Sequence, residues 1–115
     1  KLNLQPFSKD GFCVVLPQSP SDFVREGQTL NHCVGTARYY KEHMKGTSMI
    51  FFVRKEENPD KPFFTMEIDM RTYKIRQLYG FGDCSAPKDV RQFAEDYARA
   101  LPQFAKMAAL LEAAS

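Results

Sequence analysis

Phe63-Phe64-Thr65-Met66-Glu67-Ile68-Asp69-Met70 sets the class of fold. Phe64, Met66, Ile68 and Met70 fall on one side of an extended chain, and Thr65, Glu67 and Asp69 on the other. That is the period-two pattern of a strand with one buried face. Tyr73 to Tyr79 follows after Arg71-Thr72 and reads as its antiparallel partner. A two-residue turn there puts Met70 opposite Tyr73 and Glu67 opposite Arg76, with Gln77 on the other face beside Ile75 and Tyr79.

Upstream, Ser48 to Arg54 (Ser-Met-Ile-Phe-Phe-Val-Arg) reads as a strand apolar on both faces. The stretch 56–62, with two prolines among charged residues, is the turn after it. Gly11 to Leu16 is a further short strand bounded by Gly and Pro, and residues 1–10 read as irregular. Ser19-Pro20 starts a short helix, since Pro suits the first helical position, and Gly27 is expected to end it. Downstream, Val90, Phe93, Ala94, Tyr97 and Leu101 form the apolar stripe of a helix that Pro102 is expected to break or kink. Residues 103–114 are alanine- and leucine-rich and helical. The expected architecture is α+β: a small antiparallel sheet of about four strands with helices packed on one side.

The bulk numbers fit one domain. The chain has 115 residues, 43% of them hydrophobic, ten phenylalanines, and 26% charged residues. Sixteen basic against fourteen acidic residues give a net +2, too small to demand a nucleic-acid partner or to exclude one. Cys13, Cys33 and Cys84 are an odd, widely spaced set without a Cys-x-x-Cys pair, which reads as reduced thiols of the cytoplasm. No apolar run approaches the ~18 residues of a membrane span, so no membrane role is expected.

Chemistry concentrates in Glu26 to Gly46, which holds both histidines. Leu30, Cys33, Val34, Ala37, Tyr40 and Met44 recur at helical spacing, with Thr29 or Asn31 as the starting cap and Gly46 as the left-handed end. His32 and Cys33 then lie in a first turn, where unpaired backbone N–H groups favour a thiolate. Cys33 has two readings: a nucleophile with its base supplied from elsewhere, or a small apolar core residue. His32 is a base or phosphate contact, or it fixes the chain entering the helix. Glu67 is a general base with Thr65 as a hydrogen-bonding platform, or it forms a cross-strand ion pair with Arg76 on a solvated face. Gln77 pins the following loop or lines a pocket. Arg38, Lys41 and Lys45 share one helical face, with Arg54 near them and Tyr39 or Tyr40 beside them; this is either an ordinary solvated face or a basic surface able to meet phosphates. No pair has zinc-ligand spacing, and His32 and His43 stand ~16 Å apart on one helix, so neither a metal nor another cofactor is expected.

Glu26-Gly27, Leu30-x-His32-Cys33-Val34-Gly35, Tyr39 or Tyr40, Gly46, Ile50-Phe51-Phe52-x-Arg54, Pro59-x-Lys61-Pro62, Thr65-x-Glu67 and Gln77-x-Tyr79-Gly80, in that order, resemble the PcfJ-like family. The likeness spans roughly residues 11–100 of a single domain and leaves the helical tail, 102–115, outside it. Gly82-Asp83-Cys84 departs from the family pattern. The resemblance implies a bacterial protein of conjugative plasmids, integrated elements or phages, with no established activity. Family members are longer, so this chain is expected to be the C-terminal part of a larger protein. Two functions follow. One is an accessory domain binding nucleic acid or conjugation or phage proteins. The other is an enzyme on a small or nucleotide-like substrate, using His32, Cys33 and Glu67.

Overall fold

The computed structural model of the chain describes residues 7–31, 41 and 43–114. Five strands, β1 (Ser8–Lys9), β2 (Phe12–Val15), β3 (Ser48–Lys55), β4 (Phe64–Asp69) and β5 (Lys74–Tyr79), form one antiparallel sheet in sequence order. Helix α1 (Pro20–Leu30) lies between β2 and β3, and helix α2 (Lys88–Ala114) follows β5. The α+β class and the antiparallel sheet are as expected, with five strands in place of about four. The added strand, β1, pairs with β2 across Asp10-Gly11, whose φ of 54° and 85° are the left-handed values a tight hairpin turn requires. The stretch 1–10 is therefore not wholly irregular.

β3 and β4 divide the core in two. Met49, Phe51 and Val53 of β3, with Phe64, Met66 and Ile68 of β4, turn to one face and meet Val90, Phe93, Ala94, Tyr97 and Leu101 of α2. The stripe read on that helix is the one that packs. The larger aliphatic and phenylalanine side chains among them each contribute about 1.5–3 kcal/mol of transfer free energy. Tyr97 lies at the centre, 1% exposed, with the rings of Phe7 and Phe51 each 5.3 Å away, and burial pushes its phenol well above its ordinary pKa. Ile50 and Phe52 turn to the opposite face and pack on Phe23 of α1. The helices thus cover both faces rather than one, because β3 is apolar on both.

Three further local expectations change. α1 does not stop at Gly27. It continues to Leu30 and ends at Asn31, whose φ of 53° places it in the left-handed region and whose N–H bonds to Gly27 O. Thr29 is therefore helix interior, and Asn31 closes this helix. α2 runs through Pro102 without a break, held by buried Leu101 before it and Ala108 after it. The β4–β5 turn spans Met70 to Tyr73 rather than two residues, and Asp69 pairs with Lys74. Gly46, at φ 76°, does end a helical segment that includes His43, Met44 and Lys45, as read. Gly80, just after β5, is required by close approach: a Cβ there would lie 2.8 Å from the Phe64 ring.

Candidate functional site

The face of the sheet beneath α1 carries Ser48, Ile50, Phe52 and Arg54 from β3, and Thr65 and Glu67 from β4. α1 lays Phe23, Glu26, Gly27 and Leu30 inward, the i, i+3, i+4, i+7 set of an amphipathic helix. Glu26 stands on an otherwise apolar stripe and is 1% exposed. Its charge is met by Arg54, 4% exposed, in a two-pronged pair: Nη1 donates to Oε2 at 2.9 Å and Nη2 to Oε1 at 2.7 Å. Thr65 Oγ1 donates to Glu26 Oε2 at 2.9 Å. Arg54 Nε donates to the carbonyl of Pro59 at 3.2 Å, and the guanidinium sits 4.9 Å from the Phe52 ring centroid. Carboxylate and guanidinium are thus each met by more than the other, the condition for holding charge in a low-dielectric interior.

Glu67 lies one step along the same face, 3% exposed. It accepts a hydrogen bond from the Ser48 hydroxyl at 2.5 Å. Ser48 is itself 2% exposed. Glu67 is not opposite Arg76. The register shifts between Glu67 and Ile68, so Glu67 pairs with Gln77 and Ile68 with Ile75, leaving Arg76 as the extra residue of a bulge. That insertion swings Gln77 to the face of Glu67 and leaves Arg76 exposed. The solvated Glu67–Arg76 pair is replaced by a buried Glu67–Ser48 contact.

Of the residues singled out from sequence, Arg54, Thr65, Glu67 and Gln77 come together on this face. Lys41 does not join them and is exposed. His32, Cys33, Arg38 and Tyr40 lie outside the described residues. Two participants were missed: Glu26, whose signal was its place on the Phe23–Leu30 stripe, and Ser48, in phase with Ile50 and Arg54. Among the described residues no group of histidine, cysteine or acidic side chains could hold a metal ion, and no helix is long and apolar enough to cross a membrane. Cys84 is an exposed free thiol, and Cys13 is a half-buried one whose pKa burial pushes up.

A family model described as PcfJ-like protein matches residues 2–93. An uncharacterized protein of Listeria innocua, Lin1253/Lin1744, is 33% identical over 98 residues, which is 85% of this chain and 21% of that protein. The chain thus spans about a fifth of the length of the curated relative it matches. No solved structure matches. Glu26, Arg54, Pro59, Thr65, Glu67 and Gln77 all belong to the blocks that carried the likeness in sequence, and the fold gathers them around one buried polar layer.

Proposed function

Because the chain belongs to the PcfJ-like family, we propose that it is a cytoplasmic accessory domain of a conjugative plasmid, integrated element or phage, and that it binds nucleic acid or protein rather than catalysing a reaction. The observation that carries this reading is the state of the polar layer. Arg54, read from sequence beside a phosphate-facing surface, and Thr65, read as a hydrogen-bonding platform, are instead both engaged with Glu26 and no more than 6% exposed. Side chains so committed specify the docking of α1 on the sheet. The groups left free to meet a partner are on the surface, with Lys41 and Lys45 exposed four residues apart.

The test is binding of labelled single-stranded and duplex DNA across a salt series, with the Arg38→Ala/Lys41→Ala chain as control. Nucleic-acid binding through this face gives a salt slope shallower by roughly one to two phosphate contacts in the double variant. An unchanged slope removes that face, and no binding to either nucleic acid turns the reading to a protein partner.

One observation favours a second reading, an enzyme on a small or nucleotide-like substrate. Glu67 is a buried carboxylate whose contact with a described residue is a neutral hydroxyl, so its charge is not matched there by a cation. A buried carboxylate is a residue type able to act as an acid or base, here with His32 or Cys33. Thiol labelling at neutral pH, read residue by residue by mass spectrometry, separates the two readings. Exposed Cys84 is the reference. Cys33 reacting faster than Cys84 supports an activated thiolate, and Cys33 reacting more slowly opposes it.

A further inference from the structure

A cleft of about 420 Å³ opens between the link from β2 into α1, the helical segment ending at Gly46, and the adjoining ends of β3 and β4. That volume is within the range of small-molecule sites. Its apolar walls are Leu16, Phe23 and the thioethers of Met44, Met49 and Met70. Among the described residues no Asp, Glu, Lys or Arg lines it. Two of its polar side chains are already engaged. Gln18 Nε2 donates to Leu16 O at 3.2 Å, and the Ser19 hydroxyl pairs with that of Ser21 at 2.8 Å.

His43 is the third polar group, and its hydrogen bond fixes its tautomer. Nδ1 accepts the backbone N–H of Ile50 at 2.9 Å, and the ring stands edge-on to Phe23 at 5.2 Å and 71°. A ring nitrogen that accepts from an amide carries no proton, so the neutral imidazole holds its proton on Nε2. No acceptor for that Nε2–H is found among the described residues. Burial lowers the pKa of this ring and keeps it neutral. The same geometry argues against a soft-metal site beside three thioethers. Nε2 could ligate only with the proton moved to Nδ1, where it would face the Ile50 N–H donor to donor. The methionines are instead an adaptable apolar wall.

We infer that this cleft binds a small uncharged apolar molecule carrying one hydrogen-bond acceptor, held by the Nε2–H of His43 and enclosed by Phe23, Met49 and Met70. Among the described residues the lining carries no charged side chain, which sets this ligand apart from nucleotides and phosphates, so the site stands independently of the surface proposed above to meet a partner.

The test uses two probes of similar shape, acetophenone with a carbonyl acceptor and ethylbenzene without one. Binding is followed on the methyl groups of ¹³C-methionine and on the imidazole nitrogens. Acetophenone is expected to move Met49 and Met70 and the Nε2 resonance of His43, and to bind about fivefold tighter than ethylbenzene, the factor one net hydrogen bond supplies. His43→Asn keeps an acceptor for the Ile50 amide but lacks the distal donor, so the two probes should bind it equally. Met70→Trp fills the cleft and should abolish both. Equal affinity of the two probes for the native chain overturns the inference. So does acetophenone binding that leaves His43 Nε2 unmoved, or native-like binding by Met70→Trp. If His43→Asn fails to fold, the Nε2 shift in the native chain decides.

Discussion

Arg54→Met tests the buried polar layer most directly. The substitution roughly preserves the length and apolar stem of the side chain but removes the guanidinium. Glu26, 1% exposed, is then left with the Thr65 hydroxyl as its donor from this network. Breaking a buried pair by deleting one partner costs about 3–5 kcal/mol, because the surviving charge stays desolvated. The lost contacts to Pro59 O and the Phe52 ring act in the same direction. A chain of 115 residues has roughly 6–17 kcal/mol of stability in total, so the variant loses a large share. The assay is urea unfolding followed by far-UV circular dichroism, since the chain has no tryptophan. The midpoint should fall with the slope unchanged, and the melting temperature should drop by roughly 10–20 °C. The Glu26→Leu/Arg54→Met chain, with both charges gone, should recover much of the loss and give a strongly non-additive cycle. A loss below ~1 kcal/mol for Arg54→Met, or simple additivity in the double variant, would refute the reasoning. Either result would mean that the pair behaves as an exposed one.

Three further outcomes follow from single contacts. Ser48→Ala removes the donor to buried Glu67 and should cost about 1–3 kcal/mol by urea midpoint, whereas Glu67→Gln, which removes the buried charge, should cost less. Gly80→Ala places a methyl 2.8 Å from the Phe64 ring and should lower stability by about 1–3 kcal/mol, with a changed Phe64 environment visible by NMR. His43 sets a pH dependence. Its folded pKa is below the ordinary 6.5 because burial disfavours the charged ring, so the unfolded chain takes up the proton first as pH falls. The stability it contributes is complete above pH 6.5 and is lost as pH drops through the folded value. The midpoint difference between the native chain and His43→Asn should therefore shrink from pH 7.5 to pH 5, and a constant difference would contradict the burial of that ring.

Some of the candidate site was legible before the fold was known. Thr65 and Glu67 sit in a period-two run and share a face whatever the strand pairs with. Arg54 and Gln77 were picked out, but their partners were not. Glu26 and Arg54 are 28 residues apart, and nothing local marks an acid on a helix stripe as the counter-charge of an arginine on a strand. Asp10-Gly11 is a hairpin signal, but the two-residue β1 before it carries too little pattern to mark a strand.

By itself the sequence determined the periodicities: two for β4, near 3.6 for α2, and apolar residues on both faces of β3. Those repeat within a few residues and follow from backbone geometry alone. Only the tertiary structure decided which polar groups meet. A single extra residue at Arg76 turned Gln77 toward Glu67, and the second apolar face of β3 drew α1 across it, delivering Glu26 to Arg54. Register and helix docking depend on packing between segments far apart in the chain, and a one-residue shift in pairing reverses the face on which every later side chain lies.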